Sequence, residues 1–127
     1  MLKKNVLRKN SEFSAVYNKG KSVGDRYVVL FYRPNGLPYN RTGFLASKKV
    51  GNSVVRHRIT RLIRESYRLN EQKFVGGLDI VVIARPGAKE RSFFEIESAL
   101  LHLGRLHSIL KEEEKKEVKK EHEEGID

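Results

Sequence analysis

There is no cysteine anywhere in the 127 residues. Disulfides and thiolate metal sites are therefore excluded, and a reducing compartment is compatible. Long apolar runs are also missing. The longest, Val28–Tyr32 and Ile80–Ala84, fall far short of the roughly 18 residues a transmembrane helix needs. The N-terminus, Met1–Arg8, is basic but no apolar run comes after it, so it does not read as a signal peptide. The expectation is a soluble intracellular protein. Internal repeats are absent. Acids are scarce in the first half: residues 1–68 hold 16 Lys+Arg against only Glu12, Asp25 and Glu65, a local balance of +13. Residues 69–127 hold 10 Lys+Arg and 13 acids, or −3, so the overall +10 understates the first half. A field that positive attracts polyanions, nucleic acid first and an anionic membrane surface second.

The scarcity of acids bears on catalysis as well. A protein nuclease needs clustered carboxylates for metals or an acid–base set, and Glu12, Asp25 and Glu65 are widely spaced. His102 and His107 stand five apart, the wrong spacing for a shared helical metal site. No catalytic or metal-binding residue is assigned to the chain itself.

What is present reads as one small α/β domain over residues 1–110, with the charged segment 111–127 appended. Asn10 or Ser11 would cap a helix over about 11–18, with Phe13, Val16 and Tyr17 on one side and Gly20 as its stop. Tyr27–Tyr32 is β-branched and aromatic, a strand. The turn residues Pro34, Asn35, Gly36 and Pro38 lead to a second strand near Arg41–Ser47, which suggests an antiparallel hairpin. Gly51-Asn52-Ser53 opens a helix over about 53–69. Leu78–Ala84 reads as a buried strand. Ser92 and Glu95 form a capping box, with Phe93, Ile96, Leu100, Leu103 and Leu110 at helical spacing. The order α-β-β-α-β-α implies one sheet with helices packed on it. Lys111–Glu124 is almost purely charged and fits a solvated helical extension and a disordered tail equally.

The informative segment is Lys48–Arg68. At about 100° per residue, Val55, Ile59, Leu62, Ile63 and Tyr67 share one arc. His57, Arg58, Arg61, Arg64 and Arg68 share the opposite one, and Arg56 sits on the border. Surface helices usually mix signs at i, i+4; this one does not. Arginine forks bind phosphate bidentately and stack on bases. Five of them along one helix point to nucleic acid, and the claimed apolar face argues against a membrane-surface role.

Lys48–Arg68 closely resembles the signature of the bacterial ribonuclease P protein family, a K-x-G-N-x-V-x-R-N-R-x-x-R-x-x-R pattern. Phe13, Tyr17 and Phe31 also fall where that family places aromatics on its first helix and first long strand. The resemblance covers about residues 5–110. One departure is His57, where the family has asparagine; the charged segment from Lys111 is another. The resemblance implies a two-layer α/β sandwich with a small mixed sheet, one further strand, and a left-handed crossover. It also implies a subunit that does not cleave RNA itself. The catalytic RNA does so with bound Mg2+, and the protein would bind no cofactor of its own. By resemblance, Lys48, Lys49, Asn52, Arg56, His57, Arg58, Arg61, Arg64 and Arg68 bind RNA. Phe13, Tyr17, Phe31, Lys49 and Arg56 hold the 5′ leader of precursor tRNA in a cleft. The partners are then the catalytic RNA and precursor tRNA, with the protein a cytoplasmic monomer within the ribonucleoprotein and no membrane involved. A different RNA-binding module would share the basic helix without needing the aromatics in a common cleft.

Overall fold

A computed structural model describes residues 5–111. Both the first four residues and the charged segment from 112 onward, for which an extension or tail was expected, lie outside them. Helix α1 (Asn10–Lys19) starts after Lys9. It is capped by neither Asn10 nor Ser11. Instead Glu12 turns back, and its Oε1 accepts the amides of Arg8 and Lys9, both at 2.9 Å. Gly20 ends the helix in an extended conformation, not the left-handed one expected of a glycine stop. Its requirement is packing: a Cβ there would lie 2.5 Å from the carbonyl oxygens of both Val16 and Tyr32.

Strand β1 (Lys21–Gly24) is the further strand that the resemblance implied and the pattern did not reveal. It is polar, and only Val23 is partly buried. It pairs antiparallel with β2 (Val28–Pro34). In the turn between them Asp25 Oδ1 accepts the amides of Tyr27 and Val28, a side-chain turn that replaces missing ladder bonds.

Strands β3 (Arg41–Ala46) and β4 (Leu78–Ala84) complete a sheet of order β1-β2-β4-β3. The expected hairpin between β2 and β3 does not form. β4 lies between them, antiparallel to β2 and parallel to β3, with Leu30 opposite Val82 and Phe44 beside Val82. The physical reason is that β4 is apolar on both faces, and such a strand belongs in the middle of a sheet. β3, with Leu45 exposed, takes the edge.

Between β3 and β4 the chain runs through α2 (Ser53–Asn70). Asn52 caps this helix by accepting the Val55 amide at 3.0 Å. Ile59, Ile63 and Tyr67 are buried against the sheet, as the wheel required. Two polar residues share that buried side. Ser66 Oγ donates to the Leu62 carbonyl, and Asn70 Nδ2 donates to the Ser66 carbonyl and to Glu97. The last helix, α3 (Phe93–Leu106), has the expected capping box of Ser92 and Glu95. It stops before Leu110. Ser108 adopts φ 58°, and the chain returns so that Leu110 bridges Phe74 and is buried.

The mixed sheet with helices packed on it is the expected sandwich. α2 and α3 cover one face, where Leu30, Tyr32, Phe44, Ile80 and Val82 meet Ile59, Ile63, Leu100 and Leu103. α1 lies alone on the other face, where Val16 and Leu7 meet Val81 with Phe13, Phe31 and Ile83 alongside.

One ionic cluster pins α1 to the sheet. Asp79, 3% exposed at the start of β4, accepts Arg41 Nε at 2.8 Å and Nη2 at 2.7 Å, and Asn35 Nδ2 at 3.0 Å. Arg41 Nη1 reaches Glu12 Oε2 at 2.6 Å. The bond to Asp79 raises the guanidinium's pKa further, so its charge is permanent. The amides of Lys9 and Arg8, with Arg41 adding less, hold the Glu12 carboxyl below its ordinary value of 4.5.

Two outcomes are expected. Asp79→Asn removes the buried carboxylate that accepts Arg41 Nε and Nη2, leaving Glu12 alone to answer the guanidinium, and should cost about 3 kcal/mol in urea unfolding, with m unchanged; a loss below about 1 kcal/mol contradicts this account of the cluster. Because the folded-state pKa of Glu12 is depressed, its contribution is complete above 4.5 and is lost as pH falls through the folded value. The stability gap between the native chain and Glu12→Gln should therefore stay constant near neutrality and close in acid; a gap independent of pH contradicts it.

Candidate nucleic-acid interface

The basic arc of α2 faces outward in three dimensions. His57, Arg58, Arg61, Arg64 and Arg68 are all exposed, opposite the buried Ile59, Ile63 and Tyr67. Arg56, on the border, is half-buried, and its Nε is buried without a hydrogen-bond partner. Not every guanidinium is equally available. Arg68 pairs with Glu65, the single acid of the helix, through both Nε and Nη2. Arg58 Nη1 donates to the Lys89 carbonyl at 3.4 Å. The Arg64 guanidinium lies 6.0 Å from the Phe44 ring centre, a placement that holds its charge by the ring face.

Lys48 and Lys49 occupy a 3-10 turn, Lys48–Val50, just past the end of β3. Ser47 Oγ accepts the Lys49 amide, and buried Val50 anchors the turn, so both lysines stay exposed. The Asn52 side-chain Oδ1 is engaged in capping α2, which gives that residue a structural task beside any contact with RNA.

The three aromatics come together on the opposite face of the sheet. The ring centres of Phe13 and Tyr17 are 6.5 Å apart, and those of Tyr17 and Phe31 5.1 Å, edge to face. Phe13 and Phe31 are half-buried against Val16 and Val81, so they serve the small core there as well. Tyr17 is 38% exposed. Partial burial raises its hydroxyl pKa, which keeps the ring neutral. Phe13 can approach the sheet this closely because position 43 is glycine: a Cβ there would sit 2.5 Å from the Phe13 ring.

A groove of about 490 Å³ opens beside these rings, lined by Asn10, Phe13, Ser14, Tyr17 and Leu45. A second hollow of about 250 Å³ runs along the β3 edge, where Phe13, Gly43 and Leu45 meet Arg64. Neither lining includes Lys49 or Arg56, the two cations expected in the cleft. The cation that lines the second hollow is Arg64. The wheel placed Arg64 in the basic arc but gave no sign that it reaches the β3 edge, because that depends on β3 being the edge strand. Leu45 was also missed; its alternation with buried Phe44 was the available signal.

The basic surface continues past α2, beyond the reach of a helical wheel. Arg26 and Arg91 flank the Tyr27 ring at 5.9 and 5.6 Å, and Arg85 Nη1 donates to the Asp25 carbonyl. In sequence the Arg85-Pro86-Gly87 turn reads only as a strand stop.

Among the described residues no three His, Asp or Glu side chains gather as metal ligands. His107 instead bonds the Tyr32 hydroxyl through Nδ1 at 2.7 Å. No described helix is long and apolar enough to cross a membrane.

Comparison with known proteins agrees with this geometry. Residues 1–107 match the family model described as Ribonuclease P. The chain is 53% identical over 108 residues to the ribonuclease P protein component of Lachnoclostridium phytofermentans, covering 85% of this chain and 93% of that one. It is 55% identical over 110 residues to that of Alkaliphilus metalliredigens, covering 87% and 99%. Among solved structures, the Staphylococcus aureus ribonuclease P protein superposes with a TM-score of 0.77 at 33% identity, covering 84% of this chain and 98% of that one. The Thermotoga maritima protein superposes at 0.72 with 33% identity, covering 78% and 94%. With its basic helix, aromatic groove and four-stranded mixed sheet, the chain belongs to the ribonuclease P protein family, the accessory protein component of an endoribonuclease ribonucleoprotein.

Proposed function

We propose that the two faces of the sheet carry two different RNAs. The exposed face of α2, with Arg58, Arg61, Arg64 and Arg68, binds the catalytic RNA. The groove beside Phe13, Tyr17 and Phe31 receives the single-stranded 5′ leader of precursor tRNA. The observation that carries this reading is the separation itself. A row of guanidiniums lies on one side, and three rings in series beside an open groove lie on the other. Guanidiniums at helical spacing suit the phosphates of a folded RNA. Exposed ring faces suit unpaired bases. Lys48 and Lys49 stand past the end of β3, beyond Leu45 in the groove wall, where a leader's phosphates would pass. Arg64, on the α2 face, also lines the hollow along the β3 edge with Phe13 and Leu45.

The protein makes no bond and breaks none in this scheme. Magnesium ions held by the RNA supply the chemistry, and the protein holds the substrate in register. Residues 1–110 act as one RNA-binding unit, a monomer in the cytoplasmic ribonucleoprotein.

The direct test is cleavage of a precursor tRNA at low magnesium with a bacterial ribonuclease P RNA, with and without this protein, beside a protein-only control. Cleavage at the mature 5′ end is expected only with both present. Cleavage by the protein alone, or no assistance at all, overturns the reading. Arg61→Ala should lower the log–log salt slope of RNA binding by about one, with thermal stability unchanged; an unchanged slope removes Arg61 from the interface. Tyr17→Ala should weaken precursor binding by about tenfold while sparing mature tRNA, since one stacked base is worth about 1–3 kcal/mol. Equal losses for both RNAs would make Tyr17 a packing residue.

A further inference from the structure

Two turns meet at the end of the sheet where β3 and β4 finish and β2 begins, with Ala46 and Val28 both beside Ala84. The β1–β2 turn and the 3-10 turn Pro86–Ala88 are pressed together: a Cβ on Gly87 would lie 2.2 Å from the Arg26 carbonyl oxygen. The Arg85 amide donates to the Tyr27 carbonyl at 2.9 Å, and Arg85 Nη1 to the Asp25 carbonyl at 3.0 Å. The bond from Arg58 Nη1 to the Lys89 carbonyl then joins this end of the sheet to the basic helix. Arg26, Arg85 and Lys89 are all exposed, so the cations of α2 continue onto these turns.

A hollow of about 420 Å³ lies between the β1–β2 turn and α3, with Asp25, Tyr27, Phe94 and Glu95 in its lining. Phe94 is 76% exposed, and the Phe93 ring meets it edge to face, with centres 5.5 Å apart. A ring held out to water forfeits the stabilisation that burial would give it. The core does not need this one, since Ile96, Leu100 and Leu103 already bury the inner side of α3. The Tyr27 ring has the Arg26 and Arg91 guanidiniums 5.9 and 5.6 Å from its centre, so the ring left open is that of Phe94. The two acids of the lining differ. Glu95 is answered at both oxygens, Oε1 by the Ser92 amide and Oε2 by Arg91 Nη1. Asp25 Oδ1 accepts the amides of Tyr27 and Val28, whereas its Oδ2 accepts from none of the described residues. One hollow thus has an open ring, a spare carboxylate oxygen and exposed cations beside it.

Resting on the reading of α2 as the face for the catalytic RNA, we propose that this hollow takes one unpaired base of that RNA, an adenine, cytosine or guanine. The base stacks on Phe94. Its exocyclic amino group donates to Asp25, and the flanking phosphates meet Arg26 and Lys89. Uracil, with carbonyl oxygens and no exocyclic amino group, is disfavoured. The cations beside the ring favour a polyanion over an apolar protein segment. The link from Arg58 to Lys89 favours the RNA that lies on α2 over the leader, whose groove is across the sheet.

The test uses the full chain and a bacterial ribonuclease P RNA without precursor tRNA. Phe94→Ala should weaken binding by about tenfold, the loss of one stacked base. The log–log salt slope and the melting midpoint should not change, because no phosphate contact and no buried side chain is lost. Phe94→Tyr should restore binding. In the assembled complex the preference for precursor over mature tRNA should stay that of the native chain. Base choice is read from the backbone amide resonances of residues 25–27 and 94–99. A short oligoadenylate should move them more than an oligouridylate. Asp25→Asn keeps Oδ1 for the turn but puts a donor in place of Oδ2, and it should reverse that order. Native-like RNA binding by Phe94→Ala overturns the site. A loss that comes with a lower melting midpoint, or one confined to precursor tRNA, overturns it as well. Equal shifts with both oligonucleotides, or none, overturn recognition of the amino group. Arg61→Ala separates the site from the reading it rests on. If Arg61→Ala weakens RNA binding and Phe94→Ala does not, the α2 face stands and the hollow falls; if neither weakens it, the reading of α2 fails and the hollow with it.

Discussion

A strand that is apolar on both faces sets the plan of this molecule. From Leu78 to Ala84, β4 has no side directed to water, so each face of the sheet must be covered. α2 and α3 meet that requirement on one face, α1 on the other. Two helices cover their face fully; a single ten-residue helix cannot, and Tyr17, Leu45 and the half-buried Phe13 and Phe31 border the part left open. The groove is thus the uncovered remainder of a burial requirement. The basic face is its counterpart, the outward side of a helix whose inward side is fully engaged.

The two surfaces are held in fixed relation by charge. Arg41 joins Asp79 at the start of β4 to Glu12 in the first turn of α1. Glu12 also satisfies the amides that lead into that helix. The same carboxylate therefore starts α1 and positions it. Because Phe13 is the next residue, the clamp also sets how the ring lies over Gly43. On the other face the guanidiniums are left mostly unneutralised, with Glu65 answering only Arg68. The structural cations are bonded inward and the surplus cations face out, a division expected of a protein whose partner is a polyanion.

Much of this was legible in the residues, and the failures have physical causes. The α2 wheel separated Ile59, Ile63 and Tyr67 from Arg58, Arg61 and Arg64 correctly because amphipathic period is a local property. The β4 limits and the Ser92–Glu95 box were legible for the same reason. Strand β1 was not: Lys-Ser-Val-Gly has almost no β signal and exists because β2 offers it an edge. The β2–β3 hairpin was wrong because adjacency in sequence was taken for adjacency in the sheet, and β4 competes better for the central place. Lys49 and Arg56 were expected with the aromatics, whereas neither lines that groove and Arg64 lines the hollow along the β3 edge; which cation reaches round an edge strand depends on strand order, and no helical wheel contains it. Gly20 looked like a conformational stop, but its neighbour Tyr32 comes from another strand.

The absence of cysteine provides a clean way to test the central claim that the two faces meet different RNAs. Ser14 lies in the aromatic groove, and Val54, 76% exposed, lies within the basic arc of α2. A photo-crosslinker on Ser14→Cys or on Val54→Cys is then unique in the chain. In the assembled complex with precursor tRNA, the label at 14 should join the 5′ leader and the label at 54 the catalytic RNA. Crosslinks from both positions to the same RNA would contradict the division of the sheet into two binding faces.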